Sequence, residues 1–332
     1  MEPTAPNGRE RRRGSSLTLD GTEVMATNTK VQHWVPQFYL RYFATPETRD
    51  TDRPQVWIFS KHDGDPKRTS IRNVAAKSYF YTPKDVSGSR DWQTDTRLSD
   101  LESVLSRVWP ELANGFIDLH RSEAIRRAVA LFVSTLHLRH PPSHRLTVNL
   151  HSQLVSLFET LSNGSAGNPL VADIEYRGEV RPFDTFGYAE YRNADPERLR
   201  QVFVDDLRAN ATWFAEALLE KRWSVVFAEE PIFITTDTPV AIVNQTRERF
   251  GVKTPGTVIS PPLSLTRVLL MDDRLDQPEG HYYPLRNHGP APFNLEAWHC
   301  CECFMISPRR TDEVCAELLA WADAARQHEG AV

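Results

Sequence analysis

"HWVPQFYLRYFA", residues His33 to Ala44, sets two Tyr, two Phe and one Trp around one His, one Gln and one Arg. Pro36 fixes its own φ and pushes Val35 toward an extended shape. Pro is welcome in a first helical turn, so the stretch reads as a short helix from Pro36 to about Phe43, entered from an extended chain. The aromatic residues are anchors for a core, and the polar ones are either a site or fastenings. His33 falls just before the expected helix, near its positive end, where a protonated ring is disfavoured and a neutral one keeps a lone pair. That suits a general base or a metal ligand. Gln37 and Arg41 share one helix face and extend such a site. Burying a guanidinium alone is costly, so Arg41 either reaches solvent or ties the helix to a neighbouring loop.

Outward from this stretch the chain divides by pattern. "QVWIFSKHDGDPKRTSI" alternates like a hairpin, with Asp63-Gly64-Asp65-Pro66 as its turn, and "AAKSYFYT" suggests a further short strand. A helical period runs from Thr96 to His120 through Leu98, Leu101, Val104, Leu105, Val108 and Leu112. A second helix starts at Ser122-Glu123 and is expected to stop at Pro141-Pro142. "LTVNLHSQLVSLFETL" is a third, "SNGSAGNP" a loop, and Pro196 to Leu219 a fourth helix. Thereafter "WSVVFA", "PIFITT", "VAIVN", "TVISPPLSLTRVLLM" and "CFMIS" are short β-branched or aromatic runs. "TDEVCAELLAWADAARQ" closes as an amphipathic helix with a Thr cap. The expected class is α+β: a central helical bundle packed on a mostly antiparallel sheet made from the N-terminal hairpin and the C-terminal strands.

The chain has 332 residues, 40% apolar and 25% charged, with a formal charge of −5. That is an ordinary globular balance and argues against a general nucleic-acid coat, while leaving room for one local basic groove. No apolar run approaches a membrane span, and the N-terminal segment has no apolar signal core. Residues 1–28 read as a flexible tail and 29–328 as a single domain. Four Cys in a chain this long indicate a reducing, cytoplasmic setting rather than a disulfide framework. The nucleotide-loop, dinucleotide, HExxH and GxSxG motifs are absent.

Three further segments carry chemistry. In "IFITTDTPVAIVN" an apolar strand, Ile232 to Ile234, breaks into Thr235-Thr236-Asp237-Thr238. This is a polar nest on a rigid support, or else a turn in which Asp237 satisfies nearby N–H groups. "HLRHPPSHR" ends the second helix in an Arg- and His-rich stretch fit to receive a phosphate or carboxylate. Arg139 stands where that helix stops. Cations at helix C-termini also simply offset the dipole. "HCCEC", His299 to Cys303, has thiols and an imidazole but no second ligand pair, and reads as structural rather than as a zinc site.

These blocks resemble the DUF4238 family. "HWVPQFYLRYFA" is similar to its HxVPxxYLRxF opening, and "IRNVAAKSYFYT" with "LSDLESVLSRVWPEL" to the block that follows. "LRHPPSHR" resembles its Arg-x-Pro helix end, with His140 where Thr is more usual. "FITTDTPV" resembles its FITSDNPV segment, with Thr236 for Ser and Thr238 for Asn, and "ISPPLSLTRVLL" its PLSP-type strand. The resemblance runs from about Val31 to the final helix. It implies one α+β domain of bacterial cytoplasmic type and transfers no activity; the Cys cluster is no part of it.

Two functions follow as expectations. The first is an enzyme-like pocket in which His33, Gln37, Arg139 and Asp237 converge, with His33 as general base or a ligand, Asp237 as its orienting carboxylate or a second ligand, and Arg139 clamping an anion. Phosphoester hydrolysis, in a small molecule or in nucleic acid, is the expected reaction, with metal dependence, cofactor and oligomeric state left open. The second is a non-catalytic interaction or sensing module in which the same polar residues are structural. Convergence of His33 and Asp237 on one open cleft separates the two.

Overall fold

The aromatic opening buries itself first. The computed structural model describes residues 30–62, 64–119, 122–164, 171–176, 178–184, 187–285 and 291–329. The expected tail, 1–28, lies outside them, as does most of the "SNGSAGNP" loop. β1 (Val31–His33) leads to α1 (Gln37–Leu40), which tightens into a 3₁₀ turn over Arg41–Phe43. Pro36 precedes the helix in an extended conformation instead of forming its first residue, and its carbonyl accepts from Leu40 N at 3.0 Å. His33 is therefore a strand residue, opposite Ala76 of β4 (Ala76–Ser78), and not a helix-end residue. Val35, Tyr39, Leu40 and Phe43 are fully buried. The Tyr39 hydroxyl donates to Pro262 O at 2.8 Å and meets Thr235 Oγ1 at 2.9 Å, which fastens α1 to distant strands.

Around that anchor stand the helices α2 (Gln93–Asn114), α3 (Glu123–Leu138), α4 (Pro141–Gly164) and α6 (Pro196–Leu219), with the short α5 (Tyr188–Arg192) before α6. α2 begins and ends earlier than the leucine period suggests; it stops at Asn114 with Gly115 extended behind it, although Leu119 further on is buried as well. Pro141-Pro142 both ends α3 and opens α4, because Pro in a first turn forgoes only N–H groups that have no helical partner. α6 occupies the expected residues, with the Asp195 carboxylate accepting from Arg198 N at 2.7 Å as its cap. Trp109 of α2 and Phe132 of α3 pack edge-to-face at 5.1 Å, with Phe38 and Tyr39 against them.

The expected single sheet is divided. β7 (Arg222–Phe227), β9 (Ala241–Asn244), β10 (Thr257–Ser260), β12 (Arg267–Asp272) and β13 (Tyr282–Pro284) pair in the order β13-β7-β12-β10-β9, with β11 (Pro262–Ser264) beside β12. β13 runs parallel to β7, and the other pairings are antiparallel. The hairpin β2 (Gln55–Ser60) and β3 (Pro66–Ser70) joins a different sheet, ordered β3-β2-β14-β8, with β8 (Thr235–Thr236) and β14 (Phe304–Ser307). Ile232 to Ile234 is not a strand; Ile232 N and Phe233 N both turn to Leu265 O, each at 2.9 Å. A hairpin β5 (Val171–Tyr176) with β6 (Glu179–Asp184), and the helices α7 (Ala291–Cys300) and α8 (Thr311–Glu329), complete the described residues. The architecture is α+β, and no described helix is long and apolar enough to cross a membrane.

Candidate functional site

A cavity of about 370 Å³ opens where β1, the start of α1, one face of α2 and the end of α3 meet. His33, Gln37 and Arg139 line it together, as do Gln32, Asp95 and Glu102. Asp237 is not among its lining residues.

Arg139 is 1% exposed and closes α3. Its Nε donates to Trp34 O at 2.9 Å and its Nη1 to Glu102 Oε1 at 2.8 Å. Its Nη2 is shielded from water and has no hydrogen-bond partner among the described residues. Leaving such a donor unmet is costly. The Arg139 carbonyl in turn accepts from the Tyr81 hydroxyl at 2.8 Å, so the residue is held at both ends.

α2 supplies what the leucine reading of that helix overlooked. Asp95, Ser99, Glu102, Ser103 and Ser106 recur at helical spacing along the stripe that borders the cavity. Burial and the neighbouring Glu102 push the Asp95 carboxyl up to about 6, against the pull of Gln32 and Arg139. Burial also raises Glu102, and the Arg139 guanidinium opposes that shift. Gln32 Oε1 accepts from Tyr81 N at 2.8 Å, which fixes the amide at the cavity wall. Burial, with a further contribution from the Arg139 charge, lowers the His33 imidazole. His33 Nε2 lies 3.1 Å from Arg72 O. A carbonyl only accepts, so the neutral ring carries its proton on Nε2 and leaves Nδ1 with the lone pair.

Asp237 is 2% exposed and differently employed. Its two oxygens accept from Glu302 N at 3.1 Å and Cys303 N at 2.9 Å, so the carboxylate caps the "HCCEC" turn. Its carbonyl accepts from Trp34 Nε1 at 3.0 Å. The carboxylate thus satisfies main-chain N–H groups, as the alternative reading had it, but those of a distant turn rather than of its own. Burial holds the Asp237 carboxyl above its ordinary value even so. Cys300, Cys301, Cys303 and Cys315 are free thiols, and burial raises each of them. Among the described residues no three His, Cys, Asp or Glu side chains are grouped to hold a metal ion. Arg41 Nη1 donates to Arg49 O at 2.7 Å, tying the first helix to the loop after it.

Asp95 and Glu102 were legible in principle, since acids two helical turns apart with serines between them form a polar stripe beside the leucines. The family model described as a protein of unknown function (DUF4238) matches residues 31–316. No curated protein and no solved structure gives a match to this chain.

Proposed function

This chain belongs to DUF4238, a family of unknown function, and we propose that its cavity is an enzyme-like pocket working by proton transfer on a small bound molecule. The observation that carries the reading is the buried Arg139 guanidinium, one N–H arm unmet, in the same cavity as a neutral imidazole and a carboxyl poised near 6. His33 Nδ1 is the base, Asp95 gives or takes the second proton, and Glu102 holds Arg139 in place. Hydrolysis fits this pairing of base and proton donor. A polyanionic substrate such as a nucleic acid is disfavoured, because Asp95 and Glu102 would face its phosphates. Asp237 acts here as a positioning residue, through its bond with Trp34 beside His33.

The test is turnover of p-nitrophenyl acetate and of bis(p-nitrophenyl) phosphate by the wild-type chain, His33→Ala and Asp95→Asn. The expected result is ester turnover whose rate bends near pH 6 and loses that bend in Asp95→Asn. Equal rates in all three chains would remove the catalytic reading.

A non-catalytic module is the second reading, favoured by the absence of Asp237 from the cavity that His33 lines, and by one pattern. Gln32, His33, Arg41, Arg139 and Asp237 each make at least one hydrogen bond to main chain. On that reading Asp95→Asn and His33→Ala change only stability.

A further inference from the structure

We propose that the cavity receives an amino-acid-like zwitterion, a small molecule carrying a carboxylate and an ammonium group, with the carboxylate at Arg139 Nη2 and the ammonium at Asp95. This rests on the pocket assignment above and names its ligand.

The two ends of the cavity ask for opposite partners. Arg139 is buried, and its Nη2 has donors but no acceptor among the described residues, so an oxygen-bearing anion is what completes it. An anion alone is poorly matched, however. Glu102 already neutralises Arg139 at 2.8 Å, and Asp95 adds a second carboxylate to the same wall. With Asp95 ionised, the charges of Arg139, Glu102 and Asp95 sum to one net negative, and His33 stays neutral. A ligand bearing only a carboxylate would make that two. One bearing an ammonium as well restores the balance at Asp95, which is only half-buried beside the exposed Ser99 and Ser103. An ammonium alone would leave Arg139 Nη2 unmet.

Gln32 approaches Asp95 from the buried side without completing a hydrogen bond, and favours its ionised form. Burial and Glu102 oppose that form in the empty pocket. An arriving ammonium adds to the ionised form and lowers the pH at which Asp95 takes up its proton. The groups around Asp95 that bear on this proton are Glu102 on its own helix, Arg139 on α3, and Gln32 on β1, with the Tyr81 phenol nearby. The cavity volume of about 370 Å³ suits a molecule of amino-acid to dipeptide size.

The experiment is calorimetric titration of the full chain with glycine, β-alanine and γ-aminobutyrate, and with acetate, ethylammonium and inorganic phosphate as single-charge controls. At least one zwitterion is expected to bind about tenfold or more tightly than acetate and ethylammonium. Its affinity should fall up to about tenfold per pH unit below 6, as Asp95 takes up its proton. Asp95→Asn should lose about ten- to a hundredfold of the affinity. The pH series on the unaltered chain carries the test should that variant fold poorly. Acetate or phosphate binding as tightly as the best zwitterion would make this a plain anion site and overturn the proposal. So would equal binding of ethylammonium, or no binding by any zwitterion. Binding without turnover leaves the ligand assignment standing and removes only the catalytic reading; ester turnover with no zwitterion binding does the reverse.

Discussion

Trp34 Nε1 donates to the main-chain oxygen of Asp237 at 3.0 Å, joining residues 203 positions apart. The bond brings the aromatic opening segment against the polar break of the ITTDTP segment. The acid's carboxylate, by contrast, serves the main chain of Glu302 and Cys303. One residue thus ties down the opening segment through its carbonyl while its carboxylate fixes a turn elsewhere.

Asp237→Ala should destabilise the chain by about 2–4 kcal/mol, since two charge-assisted bonds to half-buried N–H groups are lost together. Asp237→Asn keeps one acceptor and should cost about half as much. Denaturant unfolding measures both. Labelling of Cys301 and Cys303 by a thiol reagent should quicken in Asp237→Ala, because the turn that carries them loosens. Unchanged stability in the Ala variant would mean that the carboxylate is not the turn's fastening.

Arg139→Met removes the partner of Glu102 and the bond to Trp34 O, at an expected cost of about 3–5 kcal/mol. Glu102→Gln retains an acceptor and should cost about 1–2 kcal/mol. It should also bring the Asp95 carboxyl down toward its ordinary range, because the neighbouring charge that raises it is gone. Carboxyl titration by NMR checks that direction, and a rise would contradict the assignment.

The α3–α4 junction holds two imidazoles that burial depresses, His137 to about 4 and His140 to about 3. Their rings lie 5.8 Å apart, and His137 stacks on Phe214. The unfolded chain therefore takes up protons near 6.5 that the folded chain refuses. Their contribution to stability is complete above 6.5 and is lost as pH falls toward about 4 and then 3. Asp95, raised to about 6, works the other way and favours folding as pH falls through 6 toward 4. The comparison must hence be made per residue. His137→Phe should lessen the drop in melting temperature between pH 6.5 and 4, and an unaltered slope would contradict the linkage.

Arg222 and Asp272 face each other across β7 and β12, with Nε to Oδ1 at 2.9 Å and Nη2 to Oδ2 at 2.6 Å. Both side chains are nearly buried. Burial alone would raise the Asp272 carboxyl, but the bonds from Arg222 leave it lowered. Arg222→Met should cost about 3–5 kcal/mol by stranding the carboxylate, and a second change, Asp272→Leu, should recover much of that. A double variant no better than the single one would show that the pair is needed for more than charge balance.

What the sequence disclosed follows from where the controlling forces are local. Asp195, Pro196 and the apolar period that follows placed α6 at its observed residues, because a cap and a stripe are properties of neighbouring positions. α7 went unseen: its ten residues include Phe293, Leu295, Ala297 and Trp298 but no clear one-sided stripe, since the helix meets both β9 and α8. β13 contains Pro284 and owes its strand character to parallel pairing with β7, which no local pattern announces. Of the four residues expected to converge, His33, Gln37 and Arg139 line one cavity and Asp237 does not, and His33 arrives there from a strand instead of a helix end. Asp95 and Glu102 were hidden in a helix read only for its leucines. The partners of Asp237 are backbone N–H groups, which every residue but proline carries, so nothing in their side chains marks them.

β14 lies between β2 and β8, so a strand from residues 304–307 completes a ladder begun at residues 55–60. During synthesis, hairpin β2–β3 must therefore wait with one flank open until residues 304–307 have left the ribosome. A nascent chain stalled before residue 304 presents that flank to any other extended segment, whether its own or a neighbour's. A stop that falls just before residue 304 should consequently yield clumped protein rather than a shortened, working one.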